Sequence, residues 1–464
     1  MKKNLIQKIE KIKFLGFPIG KRLYLPASVK IYILGIKVGK KNYNVALNKE
    51  ANVNYSAINT INPSGSKDIL KAKENSSCIS SSQKENTKSV LPIVINNSTL
   101  DYKWFLNDNP QKFVLIIKTD HIGDHLLFRN FISEIKKSQK YKNCIIHFIG
   151  NEVFREISEL LDKNSIDKSF WVKHILPSQP IEEIDATRER LFKEGLLKKY
   201  DLIFFPGFNR DYFENCYFRL IAGISYKELV CNDGAVMSRK SPSVKYNGIY
   251  TRIIHLPRCY EVFEFNMNKH LIEEITEEKC NLKRPYIKWK KNTKAKNPYF
   301  VITLFSRNLE NRWHPFNYIE LIKWLKEKYK MPIFIIGSAD DELVYKEFEI
   351  LLSPFITPFF GKPWHEVISL INDCELYIGP DSGCYHLSMC LNKKTVVISR
   401  GTALFRFNSY PKTPNLTIVL PDGLKEEIYA KQQIDETFIK ELSTSTNLVP
   451  VYAVKKAIEK MMEN

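Results

Sequence analysis

Nowhere in the 464 residues do 18 apolar residues run together, which leaves no segment fit to span a membrane as a helix. Nine cysteines occur, at positions 78, 144, 216, 231, 259, 280, 374, 384 and 390, and no two form a Cys-x-x-Cys pair. An odd, scattered set indicates neither a zinc site nor a disulfide framework, and it fits a reducing cytosol. Charges at Lys8, Glu10, Lys11 and Lys13 interrupt any signal-peptide core behind Lys2 and Lys3. No nucleic-acid-binding signature accompanies the basic residues, so no nucleic-acid partner is expected. Acids are scarce at the start: residues 1–42 hold eleven Lys or Arg and one acid, Glu10.

That short segment carries about half of the chain's formal charge of +19. A localised basic segment calls for an anionic partner, and a membrane surface is the expected one. The bland account is biased composition, since Lys far outnumbers Arg. A hydrophobic content of 44% and a charged content of 26% are ordinary for a soluble enzyme, and the length allows two or three domains.

Residues 1–45 contain a weak internal repeat. Lys11–Lys21 resembles Lys30–Lys40, each pairing short apolar stretches around a Gly and ending in Gly-Lys. Both copies are expected to be small hairpins with a greasy face and a basic rim, serving as an anchor or as a β add-on. Residues 46–100 are rich in Asn, Ser and Lys, lack periodicity and are expected to be a flexible linker. From residue 112 apolar strands alternate with amphipathic helices: strand 113–118, a helix from His125 to Ser138, strand 143–149, and onward to Glu228–Cys231. Residues 240–258 look irregular. A second alternating set starts at Tyr299, and a terminal helix, Val449–Met462, is expected to return to the first domain. Such alternation implies parallel sheets covered on both faces. The expected fold class is therefore α/β, two facing Rossmann-like doubly wound domains, at 101–290 and 297–445, with residues 446–464 as a closing helix. Ligands of such sheets bind beyond the carboxyl ends of strands, here in the cleft between the two sets of loops.

Five stretches at those ends carry candidate chemistry. In the first domain, Thr119-Asp120-His121-Ile122-Gly123-Asp124 follows the first strand. A carboxylate in a helix first turn is usually a cap. At a strand's carboxyl end it can also act as a general base, and Asp124, Asp120 and His121 are rivals for that role. In the second domain, Ser306 to Pro315 follows the first strand; Pro315 suits a helix start, and Arg312 suits a departing diphosphate. Gly361-Lys362 is a further candidate phosphate or nucleotide contact. Tyr377-Ile378-Gly379-Pro380-Asp381-Ser382-Gly383-Cys384-Tyr385-His386-Leu387 reads as a strand, a tight Gly-Pro corner and a helix start. Free N–H groups and the positive end of the helix dipole gather there, and Gly383 lets a ligand approach the backbone. Gly401-Thr402 opens a loop after the next strand.

These stretches in this order resemble glycosyltransferase family 9, the family of the ADP-heptose:lipopolysaccharide heptosyltransferases. The resemblance rests on Ile116–His125, Arg312–Pro315, Gly361-Lys362, Gly379–Leu387 and Gly401-Thr402, and covers about residues 112–420. It implies a GT-B fold and inverting, metal-independent sugar transfer from a nucleotide-diphosphate donor. No metal or other cofactor is expected; ADP-heptose is the donor the family suggests. The implied acceptor is bacterial lipopolysaccharide or another surface glycan, and the implied place is the cytoplasm or the cytoplasmic face of the inner membrane. By resemblance Asp124 matches the base, and Asp381, Ser382, Gly383 and His386 match donor-binding positions. Arg312 matches a cation near the diphosphate, and Ser306, Lys362, Gly401 and Thr402 fall at the remaining donor-side motifs. Gly123, Asp120 and His121 lie on the acceptor side. The chain departs from the family where small hydroxyl residues are usual and Asp120-His121 stands instead, and in Cys384-Tyr385. Two other readings stay open at this point: a sugar-nucleotide epimerase or hydrolase on the same scaffold, and a non-catalytic sugar-nucleotide-binding scaffold.

Overall fold

The computed structural model describes residues 28–33, 36–42, 111–173, 179–208, 216–233, 247–256, 262–291, 297–346, 356–402, 404–408, 410–411, 413–430 and 445–463. Two compact units separate, one of residues 17–92 and one of residues 1–16 with 93–464. In the smaller unit, β1 (Ser28–Ile33) and β2 (Ile36–Asn42) pair antiparallel, with an irregularity at Ile31/Tyr32. The second copy of the repeat is thus a hairpin. The first copy and the expected linker 46–100 lie outside the described residues.

The larger unit holds two six-stranded parallel sheets. The first contains β3 (Phe113–Lys118), β4 (Ile145–Asn151), β5 (Lys168–Val172), β6 (Lys199–Phe204), β7 (Ser225–Asn232) and β8 (Arg252–Ile254), in the order β5-β4-β3-β6-β7-β8. The second contains β9 (Phe300–Thr303), β10 (Ile333–Gly337), β11 (Thr357–Phe360), β12 (Leu376–Pro380), β13 (Thr395–Ile398) and β14 (Leu416–Val419), in the order β11-β10-β9-β12-β13-β14. Each is the doubly wound order in which the chain reverses direction between its first and fourth strands, and a crevice opens at that reversal. The reversals fall at β3/β6 and β9/β12, so the loops after β3, β9 and β12 meet the cleft. The strands hold because both faces are covered. Val114, Ile116, Leu202 and Phe204 face one apolar core, and Leu115, Ile117, Ile203 and Leu229 face another. This is the two-domain α/β architecture expected from the sequence.

The helices that matter for the site are α1 (Ile122–Phe128), the 3₁₀ turn Arg129–Phe131, α2 (Ile132–Lys137), α3 (Arg155–Leu161), α4 (Ile181–Lys193) and α5 (Glu264–Thr276) in the first domain. In the second domain they are α6 (Pro315–Tyr329), α7 (Ala339–Lys346), α8 (Trp364–Asp373), α9 (Gly383–Cys390), α10 (Leu424–Ala430) and α11 (Val451–Glu463). Pro315 is the first residue of α6, as its fixed φ and missing N–H favour.

Four local expectations are corrected. The helix read as His125–Ser138 begins at Ile122 and breaks at the 3₁₀ turn. Gly379-Pro380, read as a corner, continues β12 and pairs in register with Val397 and Ile398. The stretch 240–258 carries the edge strand β8. The terminal helix packs on the second sheet rather than the first domain. Val454, Ala457, Ile458 and Met461 form its apolar stripe and join the core of Phe300, Ile302, Leu321 and Leu325. The Trp313 indole N–H fixes the approach by donating to the Val449 carbonyl at 2.9 Å.

A further apolar core is shared between the domains. Leu126 of α1 and Ile157 of α3 pack with Ile368, Tyr377, Tyr385 and Leu387 of the second domain. The connecting chain is pinned to both sides. The Tyr286 carbonyl accepts from Arg129 (3.0 Å) and Asn130 (3.1 Å), and the Ile287 N–H donates to Cys390 O at 2.9 Å.

Candidate active site

The site is built where α1 and α9 meet, each helix starting just beyond the end of a strand. The contact is close because each helix offers a glycine. A Cβ on Gly123 would stand 2.7 Å from the His386 ring, and one on Gly383 would stand 2.9 Å from the Ile122 side chain. Both are closer than carbon atoms tolerate, so a side chain at either glycine would force the two helix starts apart. The expected residues Gly123, Asp124, Gly383 and His386 are thereby brought into one cluster, although more than 250 residues separate them in sequence.

On the first-domain side, Asp124 occupies the third position of α1. Its Oδ2 lies 3.3 Å from the His121 N–H, which draws the carboxylate back toward the helix start. His121 itself is exposed, and its Nδ1 lies 3.2 Å from the Arg307 guanidinium across the cleft. Asp120 is differently placed. Its Oδ2 pairs at 2.8 Å with the wholly buried Lys118, while its Oδ1 is buried without a partner. Burial alone would strip the charge from Lys118, but Asp120, Asp124 and Glu264 around it hold its pKa above the usual value. Burial pushes Asp120 up, Lys118 pulls it down, and Asp124 and Glu264 push it up further. Asp120 is thus committed to a structural ion pair, whereas among the described residues no buried cation is bonded to Asp124.

On the second-domain side, a chain of contacts starts at the half-buried Arg312. Its Nε donates to the Ser306 carbonyl at 2.6 Å, and the guanidinium lies over the Phe305 ring, 5.4 Å from its centroid, and 3.9 Å from Asp341. The Ser306 hydroxyl donates to the Asp381 carbonyl at 3.3 Å, and Asn311 Nδ2 donates to the same oxygen at 3.2 Å. Burial pushes the Asp381 carboxyl up to about 6, opposed by the Asn408 amide bonded to it and by Arg400. Burial also drives His386 down to about 4, which keeps its imidazole neutral at physiological pH. Its Nδ1 meets the Tyr410 hydroxyl at 2.9 Å. Ser382 is the N-cap of α9 in extended conformation, and its side chain caps none of the first N–H groups of the helix.

Three expected residues stand apart. Lys362 is exposed and lies over the Phe359 ring, 5.8 Å from its centroid. Gly401 sits at φ +93°, a left-handed turn that suits glycine, and its N–H bonds to Ser399 Oγ. Its neighbour Thr402 is half-buried. These two residues shape the loop 400–411 rather than face the cluster directly.

That loop supplies residues not singled out in the sequence. Arg406 bonds to the buried Glu264 at 2.8 Å and stacks 3.6 Å from the Phe208 ring centroid, while Tyr410 packs on Phe263 at 4.7 Å. Asn408, between them, bonds to Asp381. No glycine, helix start or periodicity marks residues 404–411. Lys118 was more legible, as the lysine that ends a buried apolar strand. Among the described residues no group of three or more His, Cys, Asp or Glu could hold a metal ion, and no helix is long and apolar enough to cross a membrane.

Comparison with known proteins agrees with the fold of two doubly wound sheets. Residues 258–436 match the family described as glycosyltransferase family 9 (heptosyltransferase). No curated protein matches the chain by sequence. Among solved structures, the chain is similar to a glycosyltransferase family 9 protein from Veillonella parvula DSM 2008. That likeness has 14% identity and a TM-score of 0.54, over 76% of this chain and 97% of that one. It is also similar to E. coli heptosyltransferase WaaC with ADP, at 15% identity and a TM-score of 0.51, over 76% of this chain and all of that one. The E. coli ADP-heptose lps heptosyltransferase II gives 15% identity and a TM-score of 0.51, over 76% of this chain and 98% of that one. At such identities these structures speak for the fold, and the family match covers Ser306, Arg312, Asp381 and His386. The family 9 match spans residues 258–436, and the two doubly wound sheets that meet at Gly123 and Gly383 share the fold of these glycosyltransferase structures.

Proposed function

We propose that the chain transfers a sugar, with inversion, from a nucleoside-diphosphate sugar to a hydroxyl of lipopolysaccharide or a related surface glycan. ADP-heptose is the proposed donor, the molecule in the name of the similar E. coli heptosyltransferase II. The observation that carries the reading is the van der Waals contact between the helix start bearing Asp124 and the one bearing His386. In this mechanism Asp124 takes the proton of the acceptor hydroxyl as its oxygen attacks the anomeric carbon. The bond from that carbon to the diphosphate breaks with its electron pair, and negative charge develops on the leaving group. Arg312 and the N–H groups that open α9 stabilise that charge, the service a metal ion gives in other transferases. Asp381 accepts from sugar hydroxyls, and the neutral His386 lies beside the diphosphate.

ADP and ADP-heptose are expected to raise the melting temperature equally with Mg²⁺ and with EDTA. Ligand at 100 times its Kd contributes about 2.7 kcal/mol to the folded state. Transfer of heptose from ADP-heptose to a heptose-deficient lipopolysaccharide is the accompanying activity. A shift with UDP- or GDP-sugars alone would discard ADP-heptose, and no shift with any nucleotide sugar would remove the donor site.

The basic residues 1–45 are proposed to hold the enzyme at an anionic membrane surface. The full chain is expected to sediment with phosphatidylglycerol vesicles at low salt and to be released as salt rises, because exposed charges are screened. A chain starting at Tyr102 should stay in solution. Equal sedimentation of the two would refute the anchor.

A further inference from the structure

Asn408 is 2% exposed, and its two amide atoms are in different situations. Nδ2 donates to Asp381 Oδ2 at 3.3 Å and lies 3.5 Å from Ser399 Oγ. Oδ1 is buried with no partner among the described residues. A buried amide oxygen left without a donor is costly, so it is either a local defect or a place kept for a ligand. The surroundings favour the second. Two residues before it, Arg406 is locked to Glu264 and Phe208; two residues after it, Tyr410 is locked to His386 and Phe263. The loop is therefore fixed on both sides of Asn408. Turning the amide over would set Oδ1 against the Asp381 carboxylate, so the orientation follows from an ionised Asp381.

We propose that Asn408 is a sugar-recognition residue, whose Oδ1 accepts a hydroxyl of the donor's glycosyl unit beside the hydroxyl taken by Asp381. The proposal rests on the reading of Asp381 as a donor-sugar contact. Asp381 and Asn408 then present two acceptor oxygens from one bonded pair, which suits neighbouring hydroxyl groups on a ring. A site built to bond a hydroxyl discriminates strongly against a sugar that lacks it. Asn408 has a second part, since its N–H favours the ionised form of Asp381.

The test is calorimetric titration of the full chain with ADP and with ADP-heptose, for wild type, Asn408→Ala and the near-isosteric Asn408→Asp. Asn408→Ala should bind ADP within two-fold of wild type and ADP-heptose about 10-fold more weakly, the scale of one lost hydrogen bond. The acid limb of kcat/KM should move to higher pH, because Asp381 loses the donor that lowers its pKa. Asn408→Asp keeps the size of the side chain and should move the limb further, by setting a second carboxyl beside Asp381. A packing role alone would weaken ADP and ADP-heptose in proportion and leave the acid limb in place. That result, or unchanged binding of both ligands, overturns the inference while the donor site stands. A wild-type protein that binds neither ligand overturns both.

Discussion

Asp124→Asn is expected to lower kcat for sugar transfer by about 10²–10⁴-fold, the usual worth of a positioned general base. The Kd for ADP should stay within two-fold of wild type. The split follows from position. Asp124 stands in the first domain, the proposed acceptor side, and the diphosphate is proposed to lie against Arg312 and the start of α9 in the second. The fold should survive, because an asparagine oxygen can still accept the His121 N–H that Asp124 accepts at 3.3 Å. Asp120 cannot take over without leaving Lys118, whose charge would then be buried with less compensation. Single-turnover transfer, with melting temperature as the control for folding, measures the effect. Transfer at the wild-type rate in this variant would sink Asp124 as the base and return Asp120 and His121 to the question.

Arg129→Met should give the largest loss of stability. Arg129 Nε and His125 Nε2 meet the two oxygens of Asp162 at 2.8 and 2.9 Å, and all three residues are buried. Burial alone would raise the Asp162 carboxyl, but Arg129 and His125 beside it hold it below the usual carboxylate range. Removing the arginine leaves a buried carboxylate with a neutral histidine, takes a donor from the Leu161 carbonyl and leaves the Tyr286 carbonyl with Asn130. Loss of one partner of a buried pair costs about 3–5 kcal/mol. Denaturant unfolding should show that loss, and Asp162→Asn in the same chain should recover part of it, since no charge is then stranded. Additive losses in the double variant would refute the coupling.

The same network sets a pH dependence. Burial lowers the pKa of His125, and its neighbours lower that of Asp162. Both groups take up protons more readily in the unfolded chain, so stability rises with pH across their ranges. On acidification it should begin to fall near the ordinary histidine value of about 6.5, then further through the carboxylate range.

Much of this architecture could be read from the chain. The run Val114–Ile117 declared a strand buried on both faces, and Gly123-Asp124 and Asp381-Ser382-Gly383 declared helix starts at strand ends. What escaped was decided by contacts distant in sequence. The strand Thr357–Phe360 has a proline and only four residues, too little to show a period. Gly-Pro at 379–380 has the chemistry of a turn, yet the pairing with β9 ends at Ile378, so this pair borders a neighbouring strand on the β13 side alone. The stripe of Val454, Ala457, Ile458 and Met461 announced an amphipathic helix without saying which sheet it would cover. Asn408 and Tyr410 acquire their places from Asp381, His386 and Phe263, and nothing local in residues 400–411 foretold them.

The paired glycines at the α1–α9 contact also bear on how the enzyme can move. Gly123 and Gly383 are not an isolated point of touch, because Leu126 and Ile157 of the first domain share an apolar core with Tyr385 and Leu387 of the second. The connecting chain at Tyr286-Ile287 is tied to Arg129 and to Cys390 across the same seam. A movement that drew Asp124 away from His386 would have to bare that core to water, so the spacing of the two side chains is guarded by the hydrophobic effect itself.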